Sequence, residues 1–193
     1  MSIAELKYGN TNTFFIDGLL LDTGYAGTLR GLWKAMKENG LSPEDIRYVM
    51  ATHYHPDHSG LTGELAQRGA KLLLIDVQKD FVHFQDRIFR RERIRFTSID
   101  ESRATVISCH ESRDFLKGIG IDGEVIHTPS HSPDSVSLVL DSGDCFVGDL
   151  EPFEHIEGYE NNSQLKDDWA RLLSRRPGKI FFAHRPTAVI GNA

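Results

Sequence analysis

Short apolar runs alternate with turn-forming residues near the start of the chain. Thr13–Ile16 and Leu19–Leu21 are apolar runs of strand length, and Asp17 and Gly18 lie between them. An Asp-Gly pair between two such runs strongly indicates a two-residue hairpin turn. The sequence therefore predicts a β-hairpin at the beginning of the fold.

Further along, the period of the apolar positions changes between helical and strand values. Helical spacing predicts helices at residues 28–39, 61–68, 77–95 and 164–174. Runs of strand length predict strands at residues 48–51, 71–75, 104–108, 124–127, 135–140, 145–147 and 179–183. Strands in groups, with helices between some of them, predict an α/β (α+β) fold of two packed sheets with helices outside. No repeat or low-complexity linker divides the sequence, so we expect one domain over residues 1–193.

Composition narrows the class of protein. The chain has 193 residues, 39% of them hydrophobic, and a formal net charge of -6. Nucleic-acid binders neutralise phosphates with clustered Lys and Arg, and no long basic run is present, so nucleic acid is not an expected partner. No apolar stretch reaches membrane-helix or signal-peptide length, so we expect a cytoplasmic protein without membrane contact. Cys109 and Cys145 lie far apart and are expected to be packing residues.

The main candidate for chemistry is the run from Thr52 to His58, which follows a predicted strand and contains three histidines and one aspartate. Neutral imidazole and carboxylate suit divalent zinc, iron or manganese. In an extended segment, His53 and His55 point the same way, because side chains alternate with a period of two. Pro56 ends the strand, so Asp57 and His58 can turn towards a second position. The spacing suits two metal ions.

Three more candidate ligands lie where predicted strands end and loops begin, which is a usual position for catalytic groups. His131 follows the strand that ends at His127. Asp149 follows the strand at residues 145–147, and His184 follows the strand at residues 179–183. Together with the first run, these positions complete a set of seven candidate metal ligands.

In these residues the chain resembles the metallo-β-lactamase superfamily, whose pattern is Thr-His-x-His-x-Asp-His followed by a separate His, Asp and His. The turn at residues 22–24, Asp-Thr-Gly, is similar to the turn that supports the metal loop in that family. The resemblance implies a four-layer αββα sandwich of two mixed sheets, with the metals at one edge between them. By position, the implied ligands are His53, His55 and His131 for one metal, Asp57, His58 and His184 for the other, and Asp149 as the bridge.

The ligand types and the resemblance together predict a dinuclear hydrolase. A metal-bound hydroxide would attack a small-molecule ester, thioester, lactone or phosphodiester. Zinc is the first expectation for both ions, with iron or manganese as alternatives. Asp57 is the candidate catalytic residue, because it could orient the hydroxide or accept its proton. No residues for a further cofactor are expected.

Two other functions stay open at this point. One is a mononuclear iron enzyme similar to persulfide dioxygenases, and the other is a metal-binding module without catalysis. The segment at about 77–96 carries Phe81, Phe84 and Phe89 among several arginines. It could be a helical cap over the pocket, an outer helix with a solvated face, or the contact of a homodimer. Arg185 could pair with an anionic substrate or with a neighbouring side chain.

Overall fold

The computed structural model of the chain describes residues 2–190, which cluster into two compact units. The first unit runs up to Ser108 and the second begins at Cys109. Each unit is built around one mixed β-sheet. The single domain expected from the sequence stays a prediction.

The first unit contains a six-stranded sheet whose strands neighbour one another in chain order. The strands are β1 (Ile3–Leu6), β2 (Thr13–Ile16), β3 (Leu19–Leu21), β4 (Tyr48–Met50), β5 (Lys71–Ile75) and β6 (Thr105–Ile107). The first three pair antiparallel, and β3 to β6 pair parallel. The predicted hairpin is confirmed, because Asp17 and Gly18 have positive φ values of 43° and 93° and join β2 to β3. Two positive values are typical of a type I′ turn.

The helices of this unit cover the apolar residues of the sheet. They are α1 (Leu29–Glu38), α2 (Pro56–Ser59), α3 (Thr62–Gln67) and α4 (Phe84–Glu92), with 3-10 turns at Pro43–Asp45, Asp76–Phe81 and Glu101–Arg103. Leu32 and Met36 of α1 are fully buried and belong to one core cluster with Leu20, Val49 and Leu74 of the strands. Strand β1 and the short helix α2 were not predicted.

The helix predicted over residues 77–95 is interrupted. A 3-10 turn at Asp76–Phe81 precedes α4, and helix α4 begins only at Phe84. The side chain of Gln78 is fully buried, donates to the carbonyl oxygen of Ala51 at 3.0 Å and accepts from the amide of Ile75 at 3.2 Å. A buried amide must satisfy its hydrogen bonds, so these contacts outweigh the helical spacing of the segment.

The second unit contains a five-stranded sheet in the order β11-β10-β9-β8-β7. The strands are β7 (Gly123–His127), β8 (Val136–Leu140), β9 (Asp144–Phe146), β10 (Lys179–Phe181) and β11 (Ala188–Val189). Strands β9 and β10 are parallel, and the other neighbours are antiparallel. The helices are α5 (Ser112–Gly118), which was not predicted, and α6 (Ser163–Leu173), with a 3-10 turn at Phe153–Gly158.

Helix α6 covers the sheet of the second unit with its apolar face. Leu165, Trp169 and Leu172 lie three or four residues apart and form a core cluster with Val139 and Ile180 of the strands. The expected α/β class, with two mixed sheets flanked by helices, is confirmed. Over residues 2–190, no helix combines the length and the apolar character needed to cross a membrane.

Candidate metal centre

The loop after β4 places its candidate ligands in two different backbone conformations. His55 has extended φ and ψ values of -70° and 152°, and Pro56 follows it as the first residue of α2. Proline fits this position because the first turn of a helix needs no amide donor there. The amides of His58 and Ser59 both donate to the carbonyl oxygen of His55 at 3.1 Å. The change of direction at Pro56 that the sequence predicts is therefore confirmed.

The donor atoms of this loop's four side chains form two close pairs, while the rings of His53 and His58 pack 4.0 Å apart. Nε2 of His53 lies 3.0 Å from Nδ1 of His55, and Nε2 of His58 lies 3.7 Å from Oδ2 of Asp57. His53 and His58 are fully buried. Imidazole nitrogens brought together beside a carboxylate are the donor set that suits divalent zinc, iron or manganese. The residues present therefore fit a divalent metal.

The side chain of Asp22 supports the loop at residues 52–58 through hydrogen bonds. It is buried, and its Oδ1 accepts from the amide of Thr52 at 2.7 Å while its Oδ2 lies 3.0 Å from Nδ1 of His58. Its own φ is 58°, which is left-handed. The amide of Thr23 donates to the carbonyl oxygen of His58 at 2.7 Å. A carboxylate on Nδ1 orients the imidazole and leaves Nε2 as the ligand atom, so the Asp-Thr-Gly turn acts by positioning His58.

Thr11 contacts the candidate ligand Asp57, and the sequence did not indicate this contact. Its hydroxyl is buried and donates to Oδ2 of Asp57 at 3.3 Å, across 46 residues of chain. The side chain of Asp57 is 25% exposed. This candidate catalytic carboxylate is thus oriented by a neighbour and still reaches solvent. A lone threonine between strands carries no pattern that would have predicted this role.

The remaining three candidate ligands lie in the second unit, and the topology of its sheet explains how they meet. Strands β9 and β10 are parallel neighbours, so Asp149 and His184, which follow them, lie at the same edge. Strand β8 is antiparallel to β9, so the loop that leads into β8 and carries His131 lies at that edge too. Oδ2 of Asp149 is 3.5 Å from Nε2 of His131, and Oδ1 is 3.3 Å from Nε2 of His184. The two oxygens of Asp149 therefore face different histidines.

The loop that carries His131 is held by helix α6. The amide of Ser130 donates to Oδ2 of Asp168 at 2.8 Å, and the Asp168 side chain is fully buried. Nε2 of His127 lies 2.8 Å from the carbonyl oxygen of Pro133, which closes the same loop. Asp168 was not among the candidate residues expected from the sequence. The available indication was its place on the apolar face of α6, because a charged residue there needs a partner.

Helix α4 contacts one of the first unit's candidate ligands, His55, through an aromatic residue. The ring of Phe84 lies 5.3 Å from that of His55 and is 42% exposed, whereas Phe89 is fully buried and so does not line an open cleft. Tyr25 packs edge-on against Phe89 and donates to Oε2 of Glu92 at 2.6 Å. Burial and that carboxylate raise the pKa of Tyr25 to about 12. Tyr25, in the loop after residue 24, thus packs against helix α4 and holds it in place.

The contacts of two further residues near the candidate ligands, Tyr54 and Arg185, indicate how they are placed. Tyr54 is fully buried and belongs to the core cluster of the first unit, so it packs behind the loop. Arg185 donates from Nη2 to Oε2 of Glu151 at 3.2 Å. Its charge is therefore paired with a neighbouring side chain, which is the second of the two roles considered for it.

Comparison with known proteins places these observations in a family. The sequence model of the metallo-beta-lactamase superfamily matches residues 6–184. The chain belongs to the metallo-beta-lactamase superfamily. Among relatives in this superfamily, Beta-lactamase-like protein 2 homolog of Drosophila melanogaster is 27% identical over 184 residues, or 90% of this chain and 58% of the relative. A probable metallo-hydrolase of Methanocaldococcus jannaschii is 26% identical over 143 residues, or 70% of this chain and 65% of the relative. The chain thus spans less than two thirds of either relative.

Solved structures of the superfamily have the same fold. TTHA1623, solved in a di-iron-bound form, has a TM-score of 0.71 at 21% identity, covering 98% of this chain and 94% of its own. The BLEG-1 B3 metallo-beta-lactamase has a TM-score of 0.72 at 20% identity, covering 97% and 94%. The metallo-β-lactamase fold expected from the sequence is confirmed. The candidate ligands of this superfamily member are histidines and aspartates, which suit divalent metal ions.

Proposed function

We propose that this protein is a dinuclear metallo-hydrolase. The observation that carries the proposal is the division of the candidate ligands inside each unit. In the first unit, His53 approaches His55 while His58 approaches Asp57. In the second unit, the two oxygens of Asp149 face two different histidines. A two-way division in both units is what two ions sharing one bridging carboxylate require.

The proposed ligand sets follow the superfamily pattern. One ion would be held by His53, His55 and His131, the other by Asp57, His58 and His184, and both would share Asp149. Zinc is the first candidate by ligand chemistry, and the di-iron-bound form of TTHA1623 keeps iron as a strong second. Manganese is the third candidate.

Bound divalent ions would lower the pKa of a water molecule and polarise the oxygen of the bond to be broken. The chain's own contribution begins with Asp57, whose Oδ2 is held by Thr11 and whose side chain reaches solvent. We assign this carboxylate to orienting the attacking water and accepting its proton. Asp22 holds Nδ1 of His58, so that Nε2 keeps its lone pair for the metal.

The proposed substrates are small-molecule esters, thioesters, lactones or phosphodiesters. The name of the Methanocaldococcus jannaschii relative, probable metallo-hydrolase, supports hydrolysis as the reaction class. The scissile bond is left to the experiment, since these four classes need the same attack by an activated water.

The first test is metal content by elemental mass spectrometry, followed by a panel of the four substrate classes on the same sample. We expect about two divalent ions per chain, hydrolysis of at least one class, and loss of activity on chelation that metal restores. His58→Ala should lose metal, whereas His110→Ala, which changes an exposed histidine in the turn before α5, should not. One iron with an inert panel would support the persulfide dioxygenase-like alternative. Two ions with an inert panel would support the metal-binding module, and no metal after saturation would refute the site.

A further inference from the structure

A polar pocket lies beside His131 and Asp149 in the second unit. Its volume is about 290 Å³, and Ser130, Tyr159 and Gln164 contribute to its lining. Seven of its eight lining residues are polar, and Leu165 is the exception. Ligand pockets usually combine apolar surface with a few polar groups, and the polar side chains of this lining can form hydrogen bonds with a ligand.

The charges around this pocket are matched within the unit. Glu151 accepts from Nη2 of Arg185 at 3.2 Å and lies 3.4 Å from Nδ1 of His155. Partial desolvation and the neighbouring Glu151 carboxylate raise the pKa of Tyr159, so its phenol stays protonated near neutral pH. Asp149 is assigned to the metals under the proposed function. The wall of the pocket therefore offers no uncompensated charge to a charged substrate group.

The hydroxyl of Ser130 is the polar atom that lacks a partner. Its Oγ is buried and makes no hydrogen bond within residues 2–190. The main-chain amide of the same residue donates to Asp168, which holds the backbone of Ser130 at the pocket wall. Buried polar atoms are satisfied in nearly all native structures, and an exception asks for an explanation.

Gln164 is oriented by the same carboxylate. Its Nε2 donates to Oδ1 of Asp168 at 2.9 Å, which leaves its amide oxygen as an acceptor. Asp168 itself is fully buried. One buried carboxylate thus binds the main-chain amide of Ser130 and the side-chain amide of Gln164, so it positions two residues that line the pocket.

We propose that this pocket binds an uncharged hydroxyl or amide group of the substrate, which hydrogen-bonds to Ser130 and Gln164. The proposal rests on the hydrolase function above and adds a substrate class to it. The substrate would be a small ester, thioester or lactone with a hydroxyl or amide group a few bonds from the scissile carbonyl. Ser130 and Gln164 are then residues that determine specificity.

The test compares a 3-hydroxybutyryl compound with its butyryl analogue, so the two substrates differ only in one hydroxyl. Both acyl groups are attached through the type of bond that the panel shows to be hydrolysed. We expect kcat/KM for the hydroxyl compound to be at least about tenfold higher, because a site built to bond a hydroxyl discriminates against its absence. Ser130→Ala should reduce this ratio to about one, and Ser130→Thr, which keeps the hydroxyl, should restore part of it. Ser142→Ala, which removes an exposed serine hydroxyl of the same unit, should leave the ratio unchanged.

Metal content and circular dichroism of each variant separate a specific effect from misfolding. Calorimetric binding of 3-hydroxybutyramide to the metal-loaded protein, with butyramide as its control, reports on the pocket without turnover. Equal hydrolysis of the pair, unaffected by Ser130→Ala, would overturn the inference and leave the hydrolase function intact. Preference for a carboxylate or ammonium analogue would also overturn it. Hydrolysis of neither compound together with selective binding of the hydroxyl amide would overturn the hydrolase function and support the pocket.

Discussion

Asp22 offers the sharpest test of how the fold prepares the metal loop. Its buried carboxylate accepts from the amide of Thr52 at 2.7 Å and faces Nδ1 of His58 at 3.0 Å. Asp22→Asn keeps an acceptor for Thr52 and the shape of the side chain. Asparagine also tolerates the left-handed φ of 58° found at this position. The substitution therefore changes mainly the group that faces His58.

The expected loss of metal affinity follows from a change in the tautomer of His58. An amide that presents its NH2 group to Nδ1 favours the tautomer with the proton on Nε2, the atom assigned to the metal. Removing a carboxylate behind a metal-bound histidine lowers metal affinity by about 10–100-fold, or about 1.4–2.8 kcal/mol. Asp22→Ala should cost more, because it adds about 1–3 kcal/mol for the unpaired amide of Thr52 and about 1–2 kcal/mol for a left-handed alanine.

The assay is a chelator competition for metal affinity, with thermal unfolding of the metal-free protein measured in parallel. Asp22→Asn should weaken metal binding while the metal-free melting temperature falls little, and Asp22→Ala should lower both. Asp141→Asn, at an exposed aspartate paired with Arg113, is the matched control and should change neither. If Asp22→Asn binds metal within twofold of the natural chain, the carboxylate does not set the tautomer of His58 and the reasoning is wrong.

Three further outcomes are expected. Asp168→Ala should cost about 1–3 kcal/mol of stability and lower kcat/KM, because it leaves the amide of Ser130 unpaired in the loop that carries His131. Asp168→Asn should recover part of both, and equal losses for the two variants in unfolding and activity assays would contradict this. Burial raises the pKa of Cys145 to about 12, so roughly one Cys145 thiol in ten thousand is ionised at pH 8. A disulfide reagent should therefore modify the half-buried Cys109 first and Cys145 only after denaturation. Equal rates of modification in the native protein would contradict this prediction. A Cβ on Gly60 would lie 2.7 Å or less from main-chain atoms of the loop after the Asp-Thr-Gly turn, so Gly60→Ala should cost about 1–3 kcal/mol in denaturant unfolding, whereas Gly118→Ala, with open space around it, should be tolerated.

Much of the local structure could be predicted from the sequence because it depends on neighbouring residues. The hairpin at Asp17-Gly18 and the start of α2 at Pro56 follow from backbone preferences of two or three residues. Helices α1 and α6 follow from apolar residues that recur at helical spacing and need only a core to face. The order of histidines and aspartates was enough to indicate the superfamily, since metal chemistry fixes residue types.

Other elements depended on contacts between residues far apart in the chain. The predicted helix over residues 77–95 is interrupted because Gln78 bonds the carbonyl oxygen of Ala51, a contact that local spacing does not encode. Helix α5 was missed because it is short, and the hydroxyl of Ser112 accepts from the amide of Val125 on the neighbouring strand. Edge strands β1 and β11 were missed because their register comes from the strand beside them.

Which residues could hold a metal is evident from the sequence, because ligand identity is a property of single side chains. How those side chains are held depends on the folded structure. Asp22 reaches His58 across 36 residues, and Asp168 reaches Ser130 across 38. Such partners carry no local pattern, because a buried carboxylate is placed by the packing of whole strands and helices. The orientation of the ligands, and the pocket that would select a substrate, are therefore properties of the folded chain.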